Sequence, residues 1–292
     1  MSNHSVKSCL LPSQRGFSLV ELMIAITIGF VIVGAIGYLF IGSRQSFRTT
    51  DAMSRIQENA RYALQTMAHD VRLAGNPGCG APIPTSFVTG VILGWDSGTA
   101  VPAAVGIPAV GTGSRVTGDA IQLTVPHALL GFAAGDCAYS GGLLTTVGTA
   151  PDTVTYYVGT NQSGGRSLYR YSSVDATAAG PSYVVPELAD NVWDMQVVYG
   201  TEPTINPSTP GYGSASQYNS AGTVPAWNQV VSARINLLMV SADNALSGPQ
   251  TYQYYADTAN LRSAMTPAAG AVDRLRLHQV FTTTVGLRNR LL

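Results

Sequence analysis

The sequence predicts an α+β protein: a long N-terminal helix, apolar in its first half and amphipathic in its second, packed against a C-terminal antiparallel β-sheet domain with long loops. Three observations predict it. From Leu22 to Ser43 no side chain carries a charge. From Met53 to Ala74 apolar residues recur at steps of three and four, and no proline interrupts residues 17–76. Beyond Pro77 the chain turns to short apolar stretches separated by Gly, Pro, Ser and Asn, the texture of strands and turns.

The elements follow in order. Residues 17–43 form the apolar half of the helix, long enough to span a bilayer. Residues 44–76 form the amphipathic half. Met53, Ile56, Ala60, Leu64, Met67, Val71 and Ala74 make one buried stripe, and Arg55, Glu58, Arg61, Asp70 and Arg72 fall mainly between them. Gly75-Asn76-Pro77-Gly78 ends the helix, because glycine favours the C-cap and proline cannot continue it. The remainder, 77–292, reads as one β-rich globular domain. Strands are expected at 87–93, 119–125 and 152–158, the last paired with 167–172 across the turn at 161–165. The clearest strands are late. In 229–241, Val231, Ala233, Ile235, Leu237 and Met239 face one way, and Ser232, Arg234 and Asn236 the other. In 273–285, Leu275 and Leu277 oppose Arg274, Arg276 and His278. The stretch 201–227 has no usable periodicity and reads as a long surface loop. No internal repeat occurs at a fixed period.

The start of the chain carries the most specific signal. A short polar leader stops at Gly16, Phe17 follows, and the apolar run is interrupted at its fifth position by Glu21. A charge near mid-membrane costs about 2.5–3.5 kcal/mol on insertion scales, so Glu21 requires a role. An ordinary secretory signal has a shorter apolar core and an Ala-x-Ala-like site beyond it. Here the run is too long, and Gly42-Ser43-Arg44-Gln45 offers no such site. A plain membrane anchor accounts for the apolar run but not for glycine, phenylalanine and glutamate at its start. The pattern resembles the class III leader of type IV prepilins and pseudopilins. That resemblance implies a prepilin peptidase that cuts between Gly16 and Phe17, removes residues 1–16 and methylates Phe17. It also places the leader in the cytoplasm and the helix in the inner membrane. Charge does not orient the run, since Lys7 and Arg15 before it are matched by Arg44 and Arg48 after it.

After that cleavage the mature part holds 14 Arg against 16 acidic residues and no lysine. Such a balance argues against a nucleic-acid surface, which needs a basic excess. Charged residues make up only 11% of the chain, which suits a β-rich extracytoplasmic protein with polar loops. Cys9 leaves with the leader, so Cys79 and Cys137 remain as an even pair in an oxidising compartment. A disulfide between them closes a loop of about 60 residues, worth about 4 kcal/mol in the chain-entropy model. The alternative is two buried free thiols. Neither arrangement is a structural zinc site, because no His or Cys partner has the spacing.

Chemistry of other kinds finds no support. The mature part has no lysine to complete a Walker-type phosphate loop, and the glycines at 111–118 lack dinucleotide-binding spacing. No G-x-S-x-G nucleophile elbow occurs. His69, His127 and His278 are scattered, and Asp190 with Asp194 makes no convincing metal pair. Arg274, Arg276, Arg288 and Arg290 read as a solvated strand face and tail. No cofactor, metal or enzymatic activity is expected.

Further stretches resemble one subfamily, the PilW-like minor pilins of type IV pili. They are Gln57-Glu58-Asn59-Ala60-Arg61-Tyr62-Ala63-Leu64, then Asp70-Val71-Arg72-Leu73-Ala74-Gly75 with Gly78-Cys79, and the end from Val280 to Arg290. Residues 193–199 and 231–237 belong with them, and the likeness is patchy between 80 and 185. The resemblance implies a priming complex at the pilus tip. Its partners would be other minor pilins, the major pilin, a tip adhesin and the prepilin peptidase. Glu21 would then accept the N-terminal amine of a neighbouring subunit and set the register between helices, since a carboxylate among apolar groups must be paired or neutralised. Alternatively it accepts from its own amine or snorkels to the headgroups. One departure is visible. Major pilins usually carry a helix-kinking proline late in the apolar run, where this chain has Tyr38 and only Gly29, Gly34, Gly37 and Gly42 as weaker breakers. Two other identities share parts of the pattern. A J-type minor pseudopilin of type II secretion has the same leader, and a membrane-anchored ligand-binding domain or enzyme has the same anchor.

Overall fold

The computed structural model describes residues 16, 18–75, 91–102, 115, 118–125, 137–140, 143–146, 152–179, 183–202, 214–255 and 262–287. The backbone alone is described at 137–140, 143–146, 178–179, 255 and 262–263. The chain divides into two compact units, Met1–Arg48 and Thr49–Leu292.

Helix α1 covers Leu19–Leu73 without interruption. It runs through Gly29, Gly34, Gly37 and Gly42, so the glycines do not break it. Within the first unit its apolar side chains from Leu19 to Ile41 are exposed, and its length and composition suffice to cross a membrane. Within the second unit Ile56, Ala60, Ala63, Met67, Val71 and Ala74 are buried in the main core, with Met53 and Leu64 at its margin. That is the expected stripe. The helix stops where Gly75 takes a positive φ of 73°. The Gly75 amide then leaves the helix and donates to Thr124 O at 2.9 Å.

After α1 come β1 (Ile92–Trp95), β2 (Ala120–Val125), β3 (Cys137–Ser140), β4 (Leu143–Thr146), β5 (Asp152–Thr160) and β6 (Arg166–Ser172). The short helix α2 (Ser173–Ala179) leads to β7 (Glu187–Asp190), β8 (Val192–Thr201) and β9 (Gln217–Asn219). The chain continues through β10 (Val230–Asn244), β11 (Tyr252–Tyr255), β12 (Arg262–Met265) and β13 (Arg276–Gly286). A five-stranded antiparallel sheet has the order β1-β2-β5-β6-β7, and a four-stranded one the order β13-β10-β8-β9. Strands β3–β4 and β11–β12 form two further antiparallel pairs. The fold is therefore α+β, with one long helix and antiparallel sheets.

One core joins the second half of α1 to both larger sheets. Ile121, Leu123, Val154, Tyr156 and Leu168 enter it from the five-stranded sheet, and Val197, Tyr199, Ala233, Ile235, Leu237 and Met239 from the other. The alternation read in 229–241 is observed, except that a register shift between Val230 and Ser232 brings Val230 into the core where Val231 was expected. On the other face of the five-stranded sheet Ala120, Tyr157, Tyr169 and Val185 form a second cluster, with the two tyrosine rings stacked at 5.6 Å.

Several expectations are corrected. Of the strand expected at 87–93, Val91 is a bend and Ile92 opens a strand that runs on to Trp95, while residues 87–90 lie outside the described part. Residues 273–275 are a turn rather than strand, closed by Arg276 N–H on Asp273 O at 3.0 Å. The stretch 201–227 is not featureless. It contains β9, which continues the four-stranded sheet, and a 3-10 turn at Ala221–Thr223 that packs on the core. Helix α2 was not anticipated, and it forms because buried Asp152 accepts from Val174 N–H at 3.2 Å and from the Ser172 and Ser173 hydroxyls. Asp70 and His278, read as solvent-facing, are both buried.

Candidate functional site

The residues expected to serve processing and assembly lie at and just before the first turn of α1. Gly16 is exposed, Phe17 lies outside the described residues, and the first helical bond runs from Leu22 N–H to Ser18 O at 3.1 Å. Glu21 sits in that first turn and is exposed in the single chain. A carboxylate there is favoured by the positive end of the helix dipole, worth about 0.3–1 kcal/mol at an exposed site. At the far end of the apolar run the Arg44 guanidinium lies 4.7 Å above the Phe40 ring.

In the second unit the amphipathic half of α1 is anchored by a polar contact that the stripe alone does not reveal. The Tyr156 hydroxyl donates to Asp70 Oδ2 at 2.5 Å, and Arg170 Nε donates to the same oxygen at 3.1 Å. Tyr156 stands on β5 and Arg170 opposite it on β6, so the β5–β6 register delivers both groups to one carboxylate. Burial raises the Tyr156 hydroxyl well above its ordinary pKa, and the Asp70 charge adds to that. The Asn59 amide also donates to Asp190 Oδ1 at the end of β7. Asn59 and Asp70 both belong to the sequence stretches singled out above. Their role is to hold the helix on the five-stranded sheet.

A second polar assembly joins the two sheets. Asp119, just before β2, accepts from Ser97 N–H at 2.8 Å and from Val197 N–H of β8 at 2.7 Å. Its own amide donates to Met195 O at 2.7 Å. Asp119 thus acts as a one-residue strand along β8. Asp96, just after β1, accepts from Ala221 and Gly222 N–H, each at 2.8 Å. Arg115 donates to the carbonyls of Thr99, Asp96 and Gly118 and is the counter-charge to Asp119, Asp194 and Asp96. Burial pushes the Asp119 carboxyl up to about 7, against the pull of its two backbone N–H bonds, with the charges of Asp96 and Asp194 adding to the rise. Burial also raises Asp194. Gly118 has φ of 83°, and a Cβ there would strike Asp194 Oδ1 and the Met195 backbone, so only glycine fits this approach. Sequence reading missed this seam because the amides that Asp119 accepts from on β8 and Asp96 from near Ala221 lie 78 to 126 residues away.

The remaining expected residues fall as follows. Cys79 lies outside the described residues, and Cys137 is placed only by its backbone at the start of β3. Asp190 and Asp194 do not meet: Asp190 is at the exposed end of β7 and Asp194 in the seam. Among the described residues no group of three His, Cys, Asp or Glu side chains has the geometry to hold a metal ion. His127, Arg288 and Arg290 lie outside the described residues.

Comparison with known proteins adds the family. Residues 155–289 match the family described as Type IV Pilus-assembly protein W, and residues 11–37 match the prokaryotic N-terminal methylation motif. The chain is type IV pilin-like, with a PilW-type domain behind an N-terminal methylation motif. The PilW match covers most of β5 and all of β6 to β13, which is the whole four-stranded sheet but only three strands of the five-stranded one, and the methylation motif covers Gly16, Phe17 and Glu21. The pilin-like protein PilA3 of Thermus thermophilus is 36% identical over 63 residues, which is 21% of this chain and 27% of that protein. The match therefore spans about a quarter of that relative's length. A solved type IV-like pilin from Thermus thermophilus shares 12% identity, with 82% of this chain and 98% of that one covered at a TM-score of 0.38.

Proposed function

We propose that this chain is a minor pilin that helps to prime type IV pilus assembly and forms part of the tip complex. The observation that carries the reading is the joining, in one chain, of a methylation motif on an exposed apolar helix to a PilW-type domain. A prepilin peptidase cuts between Gly16 and Phe17 and methylates Phe17. The helix holds the protein in the inner membrane, N-terminus toward the cytoplasm, until assembly. The role is structural rather than enzymatic.

Subunit addition follows from charge. Glu21 lies one turn beyond Phe17, and its carboxylate is costly among apolar helices unless a cation meets it. The amine of a neighbouring subunit supplies that cation and fixes the axial register. The domain beyond Gly75 then selects which minor pilins, major pilin or tip adhesin it touches. The PilW match favours the pilus over a type II secretion pseudopilus. Glu21→Gln tests the mechanism. It should leave membrane insertion and the domain fold intact, weaken capture of other minor pilins, and lower the count of surface pili. Normal piliation with Glu21→Gln would return the carboxylate to a snorkelling role.

A further inference from the structure

His278, which the assembly reading does not use, sits in an arrangement that demands a particular protonation state. Its side chain is wholly buried on β13. Nε2 faces Asp273 Oδ2 at 2.9 Å, and Nδ1 faces Arg276 O at 3.0 Å. A carbonyl oxygen only accepts, and so does a carboxylate. Both ring nitrogens must therefore donate, and the ring that satisfies both partners is the imidazolium. Tyr252 of β11 stacks on it with centroids 4.6 Å apart and planes 5° from parallel, the arrangement in which an aromatic face meets a delocalised cation.

The ring stands where three segments meet. The β10–β13 register shifts between Val240 and Asn244, opposite His278 and Arg276. Around that irregularity, Leu277 N–H donates to Ser241 Oγ at 2.9 Å and His278 N–H to Gln250 Oε1 at 3.0 Å. Tyr254, two residues along β11 from Tyr252, is buried beside Asp194 of β8. The titratable groups in contact with the ring are Asp273 in the preceding turn and Tyr252 on β11; Asp194 of β8 and Arg166 of β6 act on those two, and Arg274 and Arg276 adjoin them in sequence. Arg166 lies within Coulombic reach of Asp273 and favours the carboxylate as acceptor.

We propose that His278 and Asp273 form a proton-operated latch that holds the β11–β12 pair on the β10–β13 ladder, closed while the imidazole carries both ring protons and released when one is lost. A neutral ring can donate from one nitrogen only. The other then faces an acceptor lone pair to lone pair, and either the Asp273 or the Arg276 contact opens. Release of β11 uncovers Tyr254 and the Asp194 end of the inter-sheet seam.

The test uses the full mature chain in detergent micelles with ¹⁵N-labelled histidine. Only His69, His127 and His278 remain after leader removal, so the ring signals are few and assignable. At pH 6 the His278 ring should have both nitrogens protonated. As pH rises it should lose one, and amide exchange in β11, β12 and at His278, corrected for its intrinsic pH dependence, should accelerate with the same midpoint by about tenfold or more. Asp273→Asn supplies an amide N–H to Nε2, so a neutral ring satisfies both contacts. Its exchange should then change by less than about twofold over the same range. A singly protonated ring at pH 6, exchange that does not follow the ring, or a full pH response in Asp273→Asn would each overturn the latch. If Asp273→Asn does not fold, the ring signals and exchange of the unaltered chain decide between these outcomes.

Discussion

Replacing Asp70 by Asn strikes the contact that fixes α1 to the five-stranded sheet. The Asp70 and Arg170 side chains are 10% and 17% exposed, so this is a largely buried pair with Tyr156 as a third member. Removing one partner of a buried ion pair costs about 3–5 kcal/mol, because the surviving charge is left uncompensated. For a domain of this size about 1 kcal/mol shifts Tm by about 2–4 °C, so Asp70→Asn should lower it by about 6–20 °C. Tyr156→Phe keeps the ring in the core and loses one hydrogen bond to a charged acceptor, about 1.5–3 kcal/mol. It should fall between wild type and Asp70→Asn. The double replacement Asp70→Asn with Arg170→Met removes the stranded cation and should be more stable than Asp70→Asn alone. Thermal unfolding of these four proteins and of Arg170→Met alone in one detergent buffer, followed by circular dichroism, measures all of this. A shift under about 2 °C for Asp70→Asn, or a double variant worse than the single by the full Arg170→Met cost, would refute the reasoning.

Three further outcomes are expected. Mature protein should begin at a methylated Phe17, which intact-mass and N-terminal peptide analysis would reveal; any other first residue removes the processing assignment. Asp119 has its folded pKa raised to about 7 above the ordinary carboxylate value, so it contributes stability fully below about 4 that is lost as pH rises to about 7, by at most about 4 kcal/mol. Denaturant midpoints taken across that range should fall with pH in wild type and lose this component in Asp119→Asn, and an unchanged slope in the variant would contradict the assignment. Cys79 and Cys137 should appear as one cross-linked peptide in unreduced digests of exported protein, whereas free thiols on both would refute the pairing.

Much of the architecture was legible because it rests on local repetition. The α1 stripe is set by residues three and four apart, and Ala233, Ile235, Leu237 and Met239 alternate on β10 as a strand requires. What escaped reading depends on partners far away in sequence. Asp70 looks like any polar residue between two apolar ones until β5 and β6 bring Tyr156 and Arg170 to it. His278 was placed with arginines on a wet face because alternation assigns a side without revealing what covers it; Tyr252 and Asp273 do. Asp96 and Asp119 carry no motif at all. Each is a lone carboxylate that spends its acceptors on backbone amides of a segment the sequence leaves distant. At the N-terminus the situation reverses. Gly16, Phe17 and Glu21 fall in a linear pattern, the methylation motif matched over residues 11–37, and such a pattern is legible without the fold.

Mass spectrometry of pili sheared from cells that carry this gene on its own promoter, beside a deletion strain, tests the central claim most directly. The account predicts the methyl-Phe17 peptide in sheared pili at far below one copy per major pilin, and a sharp loss of surface pili in the deletion strain that the restored gene reverses. Full piliation without the gene, together with confinement of the protein to the membrane fraction, would contradict it.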